Sequence, residues 1–91
     1  MAQVVATIKV MPEGPDTDLE ALQAEAEKQI KEFGADIGKA EVEPIAFGLK
    51  ALNMTFVVDE SLGSPDPLAE RIAALDGVNS AETTDVRRAL G

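Results

Sequence analysis

Leu49-Lys50-Ala51-Leu52-Asn53-Met54-Thr55-Phe56-Val57-Val58-Asp59 is the stretch that decides the fold. Leu52, Met54, Phe56 and Val58 alternate with Ala51, Asn53, Thr55 and Val57, the period-two pattern of a strand with one face in a core. The second face is only mildly polar, which suits an interior strand of a sheet. Just before it, Pro44-Ile45-Ala46-Phe47-Gly48-Leu49 has to turn the chain. Residues 37–45 precede that turn as another strand, with Ala40 and Val42 facing one way and Lys39, Glu41 and Glu43 the other; Pro44 marks its end or an edge position.

Towards the N-terminus, Val4, Ala6, Ile8 and Val10 alternate with Gln3, Thr7 and Lys9, a half-buried strand broken only by Val5. Pro12-Glu13-Gly14-Pro15 stops it. Thr17-Asp18-Leu19-Glu20 then reads as a capping box, with Thr17 and Glu20 satisfying free amide donors at a helix start. Leu19, Leu22, Ala26, Ile30 and Phe33 recur every three or four residues as one apolar stripe, and Glu25, Glu27, Lys28, Lys31 and Glu32 cover the solvent side. Gly34 closes this helix. Towards the C-terminus, Gly63-Ser64-Pro65 leads into a second helix that Asp66 caps and Pro67 opens, with Leu68, Ile72 and Leu75 as its buried stripe. Asp76-Gly77 ends it. Residues 78–88 form a last strand whose alternation is blurred by Ala81, Thr83 and Thr84.

The order strand, helix, strand, strand, helix, strand is the ferredoxin-like split arrangement, an α+β sandwich in one domain over residues 1–91. Right-handed crossovers put both helices on one face of a four-stranded antiparallel sheet and leave the other face open. The expected core contains Ile8, Leu22, Ile30, Phe56, Ile72 and Leu75.

Ninety-one residues allow a single two-layer core, and 45% hydrophobic content excludes a mostly disordered chain despite a net charge of −9. No apolar run approaches a membrane span, and the N-terminus lacks the basic start of a signal peptide. A soluble, cytoplasmic protein is expected. With neither Cys nor His, the chain lacks disulfides, thiolate metal sites and the commonest metal ligand and general base. Seventeen acidic against eight basic residues repel nucleic acid phosphates, so no direct nucleic-acid role is expected. The acidic excess is spread along the chain and fits a solvated surface in salt-rich cytoplasm or an ordinary acidic protein.

Ser61, Ser64 and Ser80 have no His to activate them, and no glycine pattern matches a phosphate loop. Glu41 and Glu43 share a strand face, as solvated strands often arrange them, and their spacing resembles no calcium loop. No catalytic residue, metal or cofactor is expected. Phe47 stands apart: of three Phe, Phe33 and Phe56 fall on apolar faces, whereas Phe47 sits beside Gly48 in a turn. It either plugs the end of the core or waits for another surface to cover it. Arg87 and Arg88, adjacent in so acidic a chain, are a second candidate, the alternative being a solvated tail over residues 84–91. The outward residues of the first and third strands make a mild surface suited to protein contact rather than RNA stacking.

Val10-Met11-Pro12-Glu13-Gly14-Pro15-Asp16-Thr17-Asp18-Leu19, Pro44-Ile45-Ala46-Phe47-Gly48-Leu49-Lys50-Ala51-Leu52, Val57-Val58-Asp59-Glu60 and Thr84-Asp85-Val86 together resemble archaeal elongation factor 1-beta over nearly the whole chain. The resemblance implies guanine nucleotide exchange on elongation factor 1-alpha, by a chain that is monomeric when free and needs no covalent chemistry. It implies that Phe47 inserts into the GTPase, with Gly48 allowing the tight turn and Ala46 and Lys50 beside it, and that a basic residue near the C-terminus disturbs the magnesium and phosphate site. Eukaryotic relatives carry a Lys near their end; this chain has Arg87 and Arg88 slightly earlier. A self-associating ferredoxin-like module sensing a small ligand is the reading the residues leave open beside it.

Overall fold

The computed structural model describes residues 3–14, 16–46, 48–62 and 66–89. The chain runs as β1 (Gln3–Pro12), α1 (Leu19–Phe33), β2 (Asp36–Pro44), β3 (Lys50–Asp59), a single 3-10 turn (Glu60–Leu62), α2 (Asp66–Ala73) and β4 (Val78–Ala89). The four strands form one antiparallel sheet in the order β2-β3-β1-β4, with α1 and α2 on one face. This is the ferredoxin-like fold that the element order implies.

Cross-strand rows show which residues share one face of the sheet, buried in the central strands and exposed at the edge residues Val42 and Val86. Val86, Ala6, Phe56 and Ile37 form one row, Thr83, Ile8, Met54 and Ala40 the next, and Ala81, Val10, Leu52 and Val42 the third. These rows point to the helices. Leu22, Ala26 and Ile30 of α1 and Leu68, Ala69 and Ile72 of α2 close over them in one apolar cluster. Of the expected core, Leu75 is only partly buried, because α2 ends at Ala73 and Leu75 lies in the turn beyond it.

Three register shifts interrupt the pairing of the edge strands, the one between Met11 and Pro12 lying at the very start of β4. Between Ile37 and Lys39 the β2 register slips, so Ile37 faces the helices while Lys39 faces away. Gly38 fits there because a side chain would approach the Thr55 carbonyl oxygen to 3.3 Å. The slip between Thr7 and Ile8 leaves Thr84 as the extra residue of β4, which explains why that strand alternates so poorly in sequence. β4 nevertheless runs to Ala89, so residues 84–89 belong to the sheet and are not a tail; Leu90 and Gly91 lie outside the described residues.

The start of α1 differs from the expected capping box. Asp18, not Thr17, is the cap: its carboxylate accepts from the Glu20 and Ala21 amides at 3.1 and 3.3 Å. Thr17 turns its methyl towards Gly77, where a side chain would meet it at 3.5 Å. That neighbourhood is stitched to the α2–β4 turn, since the Glu13 amide donates to the Gly77 carbonyl at 2.9 Å and the Gly77 amide donates to the Glu13 carboxylate at 3.2 Å.

Candidate functional site

The β2–β3 hairpin closes with two backbone hydrogen bonds, Ile45 N–H to the Leu49 carbonyl and Leu49 N–H to the Ala46 carbonyl, both 2.9 Å. Gly48 has φ +80°, left-handed backbone that favours glycine at the third position of such a turn. Ala46, Gly48 and Lys50 are exposed, and Ile45 is 42% exposed. Phe47 lies outside the described residues. The hairpin adjoins the start of α1 across a cleft of about 400 Å³ lined by Pro12, Gly14, Thr17, Asp18, Leu19, Glu20, Gly48 and Lys50.

Arg87 and Arg88 stand at the opposite end. Arg87 pairs with Val5 and Arg88 with Val4 near the start of β1, whereas Lys50 lies two residues beyond Leu52, the partner of Val10. About seven residues of strand separate the two groups, or roughly 23 Å at about 3.3 Å per residue. The structure therefore brings Ala46, Gly48 and Lys50 together and places the arginines far from them. Successive strand residues face opposite ways, so the two arginines also part. Arg87 shares the open sheet face with Val5 and pairs with the Asp85 carboxylate at 3.0 Å. Arg88 lies on the helix side, where its guanidinium donates to the Glu60 carboxylate at 2.7 Å.

The open face between these ends has its own pattern. At its centre the Thr7 and Thr55 hydroxyls bond to each other at 3.1 Å, flanked by half-buried Val5 and Val57. Glu41 pairs with Lys39 at 2.8 Å, while Glu43 accepts from the Asn53 amide at 3.2 Å and lies 3.8 Å from Lys9. The two carboxylates noticed in the sequence are thus held by neighbouring cations, and a shallow trough of about 450 Å³ runs over them. Asp59 belongs to local architecture: hydrogen bonds from Ser61, first its amide at 2.9 Å and then its hydroxyl, hold the carboxyl below the usual value of 3.8. This stabilises the 3-10 turn that carries Glu60. The separation of the candidate residues and the Arg88–Glu60 pair follow from strand direction and register, which no local motif announces.

Residues 5–89 match the family model described as EF-1 guanine nucleotide exchange domain. Elongation factor 1-beta of Methanothermobacter thermautotrophicus is 50% identical over 90 residues, 99% of this chain and 100% of the relative. The protein of the same name from Halobacterium salinarum is 36% identical over 88 residues, 97% of this chain and 99% of the relative. Among solved structures, the ACT domain from the GTP pyrophosphokinase of Chlorobium tepidum superposes with a TM-score of 0.63 at 17% identity, covering 90% of this chain and 99% of that one, a likeness of fold.

Proposed function

The chain belongs to the EF-1 guanine nucleotide exchange domain family, and on that premise we propose that it promotes GDP release and GTP reloading on elongation factor 1-alpha during translation elongation. The observation that carries this reading is the extent of the family match, residues 5–89, which takes in the hairpin and both arginines.

Exchange requires no bond to be made or broken in the protein. If the chain binds the GTPase more tightly when its nucleotide is weakly held, reciprocity makes its binding weaken the nucleotide by the same factor. Phe47 is the anchor in this reading, set in the sequence between Ala46 and Gly48, both exposed. Lys50 flanks it. Arg87 and Arg88 act at the far end on the nucleotide side of the same partner, and a contact at both ends fits a molecule with a 42 Å long axis. The chain acts as a cytoplasmic monomer that binds the GTPase as a protein partner, without a catalytic residue or cofactor of its own.

The cognate GTPase loaded with fluorescent GDP tests this. Mixing it with this chain and excess unlabelled nucleotide should accelerate GDP release at least tenfold over the GTPase alone. Release unchanged at saturating concentrations of the chain would refute the proposed activity.

A further inference from the structure

Of the seven Asp and two Asn in this chain, only Asp76 precedes a glycine. A glycine nitrogen has no side chain beside it, which leaves it open to the carboxyl of the residue before. The reaction available there is a ring closure: the Gly77 nitrogen bonds to Asp76 Cγ, its proton and the carboxyl hydroxyl leave as water, and a five-membered succinimide results. Water then opens the ring at either carbonyl. Attack at the side-chain carbonyl restores aspartate, whereas attack at the main-chain carbonyl leaves isoaspartate, with the chain running through Cγ and the α-carboxylate hanging free.

The peptide lies in the turn between α2 and β4, where Asp76 is exposed and the Val78 amide donates to the Leu75 carbonyl at 3.2 Å. Its nitrogen is nevertheless occupied. The Gly77 amide donates to the Glu13 carboxylate at 3.2 Å, and the Glu13 amide donates back to the Gly77 carbonyl at 2.9 Å, so one residue holds Gly77 at both ends. Ring closure has to take that amide proton and swing the nitrogen towards Cγ. A negative charge beside a group opposes loss of its proton, and the two hydrogen bonds oppose the swing. Among the described residues no cation lies within ion-pair distance of Glu13, so its charge is not neutralised there. We infer that the Asp76–Gly77 peptide is a latent site of isoaspartate formation and that Glu13 holds it closed in the folded chain. The inference is independent of the exchange reading. Its product carries a free α-carboxylate at residue 76, the group that an isoaspartyl methyltransferase esterifies with S-adenosylmethionine.

Ageing of the full chain at neutral pH, below its melting temperature, tests this. Isoaspartate at residue 76 is read by peptide mapping, where it elutes apart at unchanged mass, and by methyl transfer from labelled S-adenosylmethionine. The folded, unaltered chain should accumulate it at least fivefold more slowly than the chain denatured in guanidinium. Glu13→Ala should remove most of that difference while the chain stays folded. Ile8→Val, which loosens the core away from the turn, should age like the unaltered chain. Equal rates in the folded and denatured chain, or Glu13→Ala ageing like the unaltered chain, would overturn the inference. So would an equal acceleration in Ile8→Val, because the effect would then come from unfolding and not from Glu13. Isoaspartate absent from residue 76 even in the denatured chain would remove the site itself.

Discussion

Phe56 is the side chain on which the domain most depends: it is fully buried in the middle of β3, between Ala6 and Ile37 in its row and beneath the helices. Replacing it by Ala should cost about 3 to 5 kcal/mol, read from urea unfolding; a loss below about 1 kcal/mol would mean that β3 faces the other way. Its orientation could be read from the sequence because apolar and polar residues alternate from Leu52 to Phe56, with Val57 the one apolar residue on the other face. Thr83 is the opposite case. It faces the core beside Ile8, and its buried hydroxyl is without a hydrogen-bond partner. A buried polar group left unpaired costs about 1 to 3 kcal/mol, so Thr83→Val should raise stability by about 1 kcal/mol in the same assay, and a loss of that size would show that the hydroxyl is satisfied. Nothing in the residues around Thr83 reveals its facing, because the bulge at Thr84 shifts the alternation by one.

At the level of elements, the order and direction of all strands and helices follow from apolar periodicity and from the Pro and Gly residues that interrupt it. The ends are less transparent, since a terminus is decided by single hydrogen bonds. Thr17 and Asp18 are both good caps in isolation; the tertiary contact between Thr17 and the Gly77 turn leaves the role to Asp18. Asp18→Ala should therefore lower stability by about 1 kcal/mol, and Thr17→Ala by clearly less, as urea midpoints of the two variants can establish. Equal losses would restore Thr17 to the cap. The candidate site was readable in the same uneven way. Phe47 and Gly48 are conspicuous as an aromatic and a glycine in a turn, and the paired arginines as cations in an acidic chain. Their separation by the length of the sheet, and the division of Arg87 from Arg88 between its two faces, depend on which strands pair and in what register.

For the whole molecule, the relevant quantities are a net charge of −9 and a surface on which, among the described residues, no charged side chain is buried. Exposed charges are screened by salt, with a Debye length of about 3 Å at 1 M, so self-repulsion should fade and the melting temperature rise by several degrees between low and molar salt. A melting temperature that stays level or falls would show that the acidic surface carries no net repulsion of consequence. The account as a whole turns on whether the hairpin tip serves a partner or the core, and these differ in which quantity suffers. Interface aromatics commonly cost about 2 kcal/mol or more in binding when truncated, whereas a buried Phe costs about 3 to 5 kcal/mol in stability. The decisive measurement is therefore made on one preparation of Phe47→Ala, taking its urea midpoint and the rate at which it releases fluorescent GDP from the cognate GTPase. The account predicts stability within about 1 kcal/mol of the unaltered chain and stimulated release slowed at least tenfold; destabilisation by about 3 kcal/mol or more with intact exchange by the folded fraction would contradict it.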